Sequence, residues 1–274
     1  MKQKHSRAKI IALWVYIILI LLFVIIPVIY VFTGAFRGRT PSTLWENFWP
    51  VDFTTGNFSA ALHRNPLGIQ FVNSVIVTVV QTSAEVLFAI LGAAALVFGR
   101  LRHPNWVFSF MLATMMLPGE SLVVSRFLLI NDMGLFDTVV AVFLPFLVSA
   151  FSIFLLRQKF LSFPWSMYEA SQLDGAKPLY FVMRILVPLN RPAIFMVAIN
   201  AAIGAWNGYM WPLLITQHAN SRTIQVGITQ LADNEALNMG VVLAGVVIVS
   251  IPMILLILTG NKYLTQGLTE GANK

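Results

Sequence analysis

The sequence predicts an all-α protein that crosses a membrane six times. Three observations carry that expectation. The chain is 58% hydrophobic and only 11% charged, with mean hydropathy +0.78. Six apolar stretches approach the roughly 20 residues that a helix needs to cross bilayer hydrocarbon. Lys and Arg gather on one side of those stretches, as the positive-inside rule requires. A soluble domain carries about a quarter charged residues, so charge this sparse cannot cover a water-soluble surface. Over its 274 residues the chain has no Cys, which excludes disulfides, thiolate metal sites and thiol nucleophiles. No repeat or low-complexity linker divides it, so one membrane domain over 1–274 is expected.

The first stretch, 10–32, reads IIALWVYIILILLFVIIPVIYVF without a charge. It exceeds the apolar core of a signal peptide, about 7–15 residues, and so reads as an uncleaved span. The second is 71–98. The third, 105–130, is broken at Pro118-Gly119, and the fourth is 138–156. The fifth is 192–215 and the sixth 239–260. Six spans put both termini on one side. With the N-terminus inside, thirteen of the 18 Lys and Arg are cytoplasmic: four before the first span, Arg100 and Arg102, five across 157–191, and Lys262 and Lys274. Glu46, Asp52, Asp132, Asp137, Asp233 and Glu235 fall outside. The net charge of +7 is therefore a topology signal and not a nucleic-acid footprint.

The cytoplasmic loop 157–191 contains PWSMYEASQLDGAKPLYFVMRIL, which reads as two short helices. Pro164 starts the first, with Glu169 near its positive end. Gly175 suits the left-handed turn that stops a helix. Pro178 opens the second, and Val187-Pro188 closes it. Met167, Ala170, Ser171 and Asp174 recur at i, i+3, i+4, i+7, a small adaptable stripe suited to docking on another protein.

Polar side chains are costly in lipid and should face a bundle interior or a water-filled path. Ser74, Thr78, Gln81 and Glu85 share one face of the second span. Asn200, Gly204, Asn207, Gly208 and Trp211 share one face of the fifth, beside Trp206 and Tyr209. Aromatic faces next to amides suit sugars, so these residues are candidate pathway positions. Packing between helices would use the same small and amide residues. Glu85 and Glu120 are the carboxylates nearest membrane depth, and a proton-coupled secondary transporter would depend on them. Glu120 also follows Pro118 and Gly119, a kink suited to a gating hinge.

No GxxxxGK[ST], HExxH or GxSxG occurs, and the four His are scattered. A transport subunit without catalytic or metal-binding residues is expected.

EASQLDGA…ILVPL resembles the EAA loop of the membrane subunits of binding-protein-dependent ABC importers. There E-A-A is followed by three residues, Gly, about nine residues and I-x-L-P. Glu169, Ala170 and Gly175 match, Asp174 matches the carbohydrate class, and Ser171 replaces the second Ala. MLPGESLVVSRFLLINDMGLFDT, WNGYMWPLLIT and YLTQGLTEGA resemble further segments of carbohydrate-class permeases, above all the six-span maltose and glycerol-phosphate type. The resemblance implies a type I importer fold in a bacterial or archaeal cytoplasmic membrane. It implies a second permease, two ATPases that hold ATP and Mg, an extracytoplasmic binding protein and a sugar or sugar-like solute. Glu169, Ala170, Ser171, Asp174 and Gly175 would then dock in a cleft on the ATPase. Gly267, Leu268 and Thr269 would reach between the two ATPases, and outer loops 34–68 and 217–238 would meet the binding protein.

Overall fold

The structure, a computed structural model, describes residues 7–38, 46, 48–49, 52–64, 66–234 and 238–269; the side chains of 7–10, 64, 234 and 259–269 lie outside that description. Among the described residues the regular structure is helical, with one isolated bridge between Arg37 and Phe53.

Helix α1 (Arg7–Ala35) is followed by α2 (Gly56–Arg64) and α3 (Leu67–Phe98). Next come α4 (Pro104–Met115), a 3-10 turn over Gly119–Leu122, and α5 (Val123–Asp132). Then α6 (Val139–Phe143) runs into a 3-10 turn before α7 (Ala150–Leu161). The connecting segment holds α8 (Trp165–Leu173) and α9 (Pro178–Phe181), which continues through a π turn over Val182–Leu186 into α10 (Val187–Leu189). The chain closes with α11 (Arg191–Asn207), α12 (Met210–Ile215), α13 (Ile224–Asn234) and α14 (Met239–Thr269).

Among the described residues, three single helices are long and apolar enough to cross a membrane: Ile11–Ala35, Leu67–Phe98 and Met239–Leu258. Three bent pairs qualify jointly: Pro104–Met115 with Gly119–Asp132 at 92°, Val139–Phe146 with Ala150–Leu161 at 41°, and Pro178–Leu189 with Arg191–Asn207 at 87°. The first of these bends lies at Pro118-Gly119, where the sequence breaks.

Several expected boundaries move. Residues 157–161 belong to α7, so the connecting segment begins at Ser162. Pro188 stands one residue before the end of its helix, close to the expected stop. The π turn directly before it widens the backbone where the ring would strike the preceding carbonyl, and the helix runs on to Leu189. The fifth span is not continuous over 192–215. Helix α11 ends at Asn207 and Gly208 turns extended (φ −57°, ψ 122°), so Trp211 leaves the face it was expected to share. Helix α14 extends beyond 260 to Thr269.

The chain forms two compact units, 1–68 with 227–251 and 69–226 with 252–274. In the first, Ala35, Leu243, Ala244 and Val247 form a small core with Tyr30, Phe36 and Phe58 around it. A Cβ on Gly34 would overlap the Leu243 side chain, so this glycine permits α1 and α14 to close. Asn57 Nδ2 donates to the Ala35 and Arg37 carbonyls at 3.0 and 2.7 Å, satisfying orphan acceptors where α1 ends. From Ile11 to Ile26 nearly every residue of α1 is exposed, a surface matched to lipid or to another apolar helix.

Among the described residues, two buried clusters lie in the second unit. Ala89, Ile90 and Ala93 of α3 pack with Ile153, Leu156 and Phe160 of α7, and with Phe181, Leu186 and Val197. Separately, Val77, Ile130, Ala141, Val142, Trp211 and Ile215 pack together.

Candidate functional site

Helix α8 ends in a Schellman turn that leads into α9. The Ala176 N–H donates to Ser171 O at 2.9 Å and the Gly175 N–H to Gln172 O at 3.0 Å. Gly175 sits at φ +75°, the left-handed conformation the sequence anticipates there. Lys177 and Pro178 then start the second limb, with Pro178 in its first turn. Glu169, Ala170 and Asp174 are exposed, and Leu173 at the hairpin tip is 89% exposed. Ser171 is not on the outer stripe: it is buried, and its hydroxyl donates to Tyr168 O at 2.7 Å. A cavity of about 490 Å³ opens at this turn, lined by Asp174, Gly175, Lys177, Tyr180 and Ile185.

The hairpin is held by aromatic side chains. Phe98, the last residue of α3, meets Phe163, Trp165, Tyr168 and Phe181, with ring centroids 5.1 to 5.9 Å apart. Tyr168 also donates its hydroxyl to Phe98 O at 3.2 Å. Such ring pairs contribute beyond plain area burial, and they fasten α8 and α9 to the end of α3.

The polar face of α3 divides among four surroundings. Ser74 Oγ accepts from the Ile224 N–H at 2.8 Å. Thr78 borders an apolar cavity of about 160 Å³ with Trp206 and Pro252. Gln81 borders a different cavity, about 250 Å³, together with Phe146, Gly204, Gly208, Tyr209 and Trp211. Glu85 is buried and accepts from Ser152 Oγ at 2.5 Å, which ties α3 to α7. Of the expected pathway residues, Gln81, Gly204, Gly208 and Trp211 meet in one cavity, whereas Glu85 and Trp206 lie elsewhere. Asn200 and Asn207 are exposed on α11. Pro118 caps the 3-10 turn that carries Glu120, which is exposed. Gly267, Leu268 and Thr269 continue α14, with their side chains outside the described residues.

Near the opposite end of α3 lies a second polar assembly. Gln70 and Asn73 donate to the carbonyls of Ala219 (3.4 Å), Asn220 (2.7 Å) and Arg222 (2.9 Å). Asp137, just before the Thr138 cap of α6, holds the same segment. Its carboxylate accepts from the N–H groups of Gln217 (2.6 Å) and His218 (3.0 Å), from the Ser221 hydroxyl and from His218 Nδ1. Burial alone would raise the Asp137 carboxyl, but these bonds hold it well below the usual carboxylate range. Residues 74 and 98 are separated by roughly 36 Å of helix, so the hairpin and this clamp lie far apart along α3. Sequence reasoning places Asp137 only as an outer-loop charge. The following Thr138, which caps α6 by accepting from the Ala141 N–H at 3.2 Å, is the one local cue.

Residues 58–269 match the model of a family described as binding-protein-dependent transport system inner membrane component. The sn-glycerol-3-phosphate transport system permease protein UgpE of Agrobacterium fabrum is 28% identical, covering 98% of this chain and 99% of that relative. UgpE of Brucella suis is 31% identical over 72% of this chain and 71% of its own length. The arabinooligosaccharides transport system permease protein AraQ of Halalkalibacterium halodurans is 28% identical over 91% of each. A crystal structure of a bacterial ABC transporter involved in the import of the acidic polysaccharide alginate contains a chain with TM-score 0.81 and 26% identity, covering 94% of this chain and 98% of that one.

Proposed function

The chain belongs to the family of binding-protein-dependent transport system inner membrane components, and from that premise we propose its solute class, its partners and the residues that serve them. It is a multi-pass, non-catalytic permease subunit of an ABC importer, and the ATPase is a separate subunit. A proton-coupled carrier built on Glu85 and Glu120 is overturned by this membership. Glu85 has a structural partner as well, accepting from Ser152.

The solute is a sugar or sugar-like molecule, glycerol phosphate included; relatives that carry sn-glycerol-3-phosphate and arabinooligosaccharides in their names support this. This chain pairs with a second permease, and two ATPases and an extracytoplasmic binding protein complete the assembly. Both termini and the α8–α9 hairpin face the cytoplasm, on the support of the Lys and Arg distribution. Gln81, Gly204, Gly208 and Trp211 border the solute path. ATP binding favours one arrangement of the ATPases, the hairpin follows, and the helices it joins expose the path to alternate sides.

One observation carries this reading: a short helix, fixed by aromatics to the end of α3, presents Glu169, Asp174 and a bare Leu173 outward. Gly175→Leu tests it. The expected outcome is loss of solute uptake in vesicles with normal membrane insertion. Uptake at the unmodified rate would count against docking of this turn on an ATPase.

A further inference from the structure

Helix α12 is only six residues long, too short to hold an orientation through its own backbone. It nonetheless supplies Met210 and Trp211 to the wall of the 250 Å³ cavity. It follows a break at Gly208 and Tyr209, where it could swing. Its attachments therefore decide where the wall stands. Trp211 Nε1 donates to Ala141 O on α6 at 3.1 Å. Trp211 and Ile215 also pack with Val77, Ile130 and Val142, and beside this apolar contact the second polar attachment is Asp137. The Asp137 N–H donates to Ile215 O at 2.9 Å, on the last residue of α12. Its carboxylate takes up the bonds from Gln217, His218 and Ser221 that secure the chain just beyond. Asp137 does this at φ +61°, a conformation that Asp, Asn and Gly tolerate better than other residues.

We infer that Asp137 is a positioning residue that fastens 215–221, and with it the Trp211 wall, to the start of α6, so that the wall travels with α6 and does not swing about the break at Gly208. This rests on the proposed reading of that cavity as part of the solute path. The anchor lies in the acceptor oxygens, not in the shape of the backbone. Asn keeps one acceptor oxygen for the Gln217 and His218 N–H groups and tolerates the same backbone. Gly keeps the backbone alone.

This chain brings no Cys of its own to a spin-labelling experiment. Val140 on α6 and Leu214 on α12 are both exposed, and Val140→Cys with Leu214→Cys reports the distance between the two helices. In the reconstituted complex with its binding protein, one narrow distance distribution is expected, the same without nucleotide and with ATP trapped. Asp137→Gly should broaden it and raise the KM for solute about tenfold with little change in kcat; Asp137→Asn should restore both. A distribution that shifts between nucleotide states, or one that Asp137→Gly leaves narrow, would overturn the inference. Uptake by the unmodified complex that proceeds without ATP would sink the importer reading alone, because the label distances are read without any transport.

Discussion

Gly175 combines a left-handed backbone with free space: a Cβ built on it meets nothing within 4 Å. A side chain there costs on the order of 1 kcal/mol in conformational strain, too little to unfold the hairpin. Failure of Gly175→Leu would therefore locate the obstacle on a docked partner. Glu85 separates two roles with one substitution. Its oxygen accepts a single bond from Ser152, and a Gln amide oxygen can accept it too. Glu85→Gln should retain most uptake, whereas Ser152→Ala leaves the buried Glu85 oxygen without this donor and should destabilise by about 1–3 kcal/mol, read as a lower melting temperature in detergent. Abolished uptake in Glu85→Gln would return this residue to the transport chemistry. At this scale the sequence was half legible. Gly175 is readable because a helix stop needs that residue type. The inward turn of Ser171 is not, because it depends on the α8–α9 hairpin folding back on itself.

The aromatic grip on the α8–α9 hairpin acts at the scale of elements. Phe98 is half-buried yet touches four rings. Phe98→Ala should cost on the order of 2 kcal/mol, below the range for a fully buried ring. It should also lower solute-stimulated ATP hydrolysis about tenfold, while Phe98→Leu keeps most of it. Equal stimulation in both variants would show that the hairpin transmits without this grip. Hydrophobic runs revealed where helices lie but not how they interrupt. A π turn ahead of Pro188 and the extended Gly208 change only a residue or two of a periodic pattern. Their consequences are a helix that ends just past its proline and a span that splits.

For the whole molecule, fold class was legible because hydropathy sums over many residues and tolerates local error. Organisation into two interleaved units was not, since residues 227–251 join 1–68 only through tertiary packing. The proposed orientation has a direct check. Single cysteines at Leu173 and at His218, both exposed, should react with a membrane-impermeant maleimide from opposite sides of sealed vesicles. Labelling from one side only would reverse the assignment of one of the two loops.

The corner at Asn190 gives the chain a mechanical property. Asn190 is buried where the limb Pro178–Leu189 meets α11 at 87°. Its amide nitrogen Nδ2 donates to Leu186 O at 2.8 Å, its N–H reaches Leu186 O and Val187 O, and its carbonyl accepts from the Ile194 N–H. Two rods braced at a right angle form a bell crank: a push along one arm becomes a sideways throw of the other, and the far end of that other arm carries Gly204.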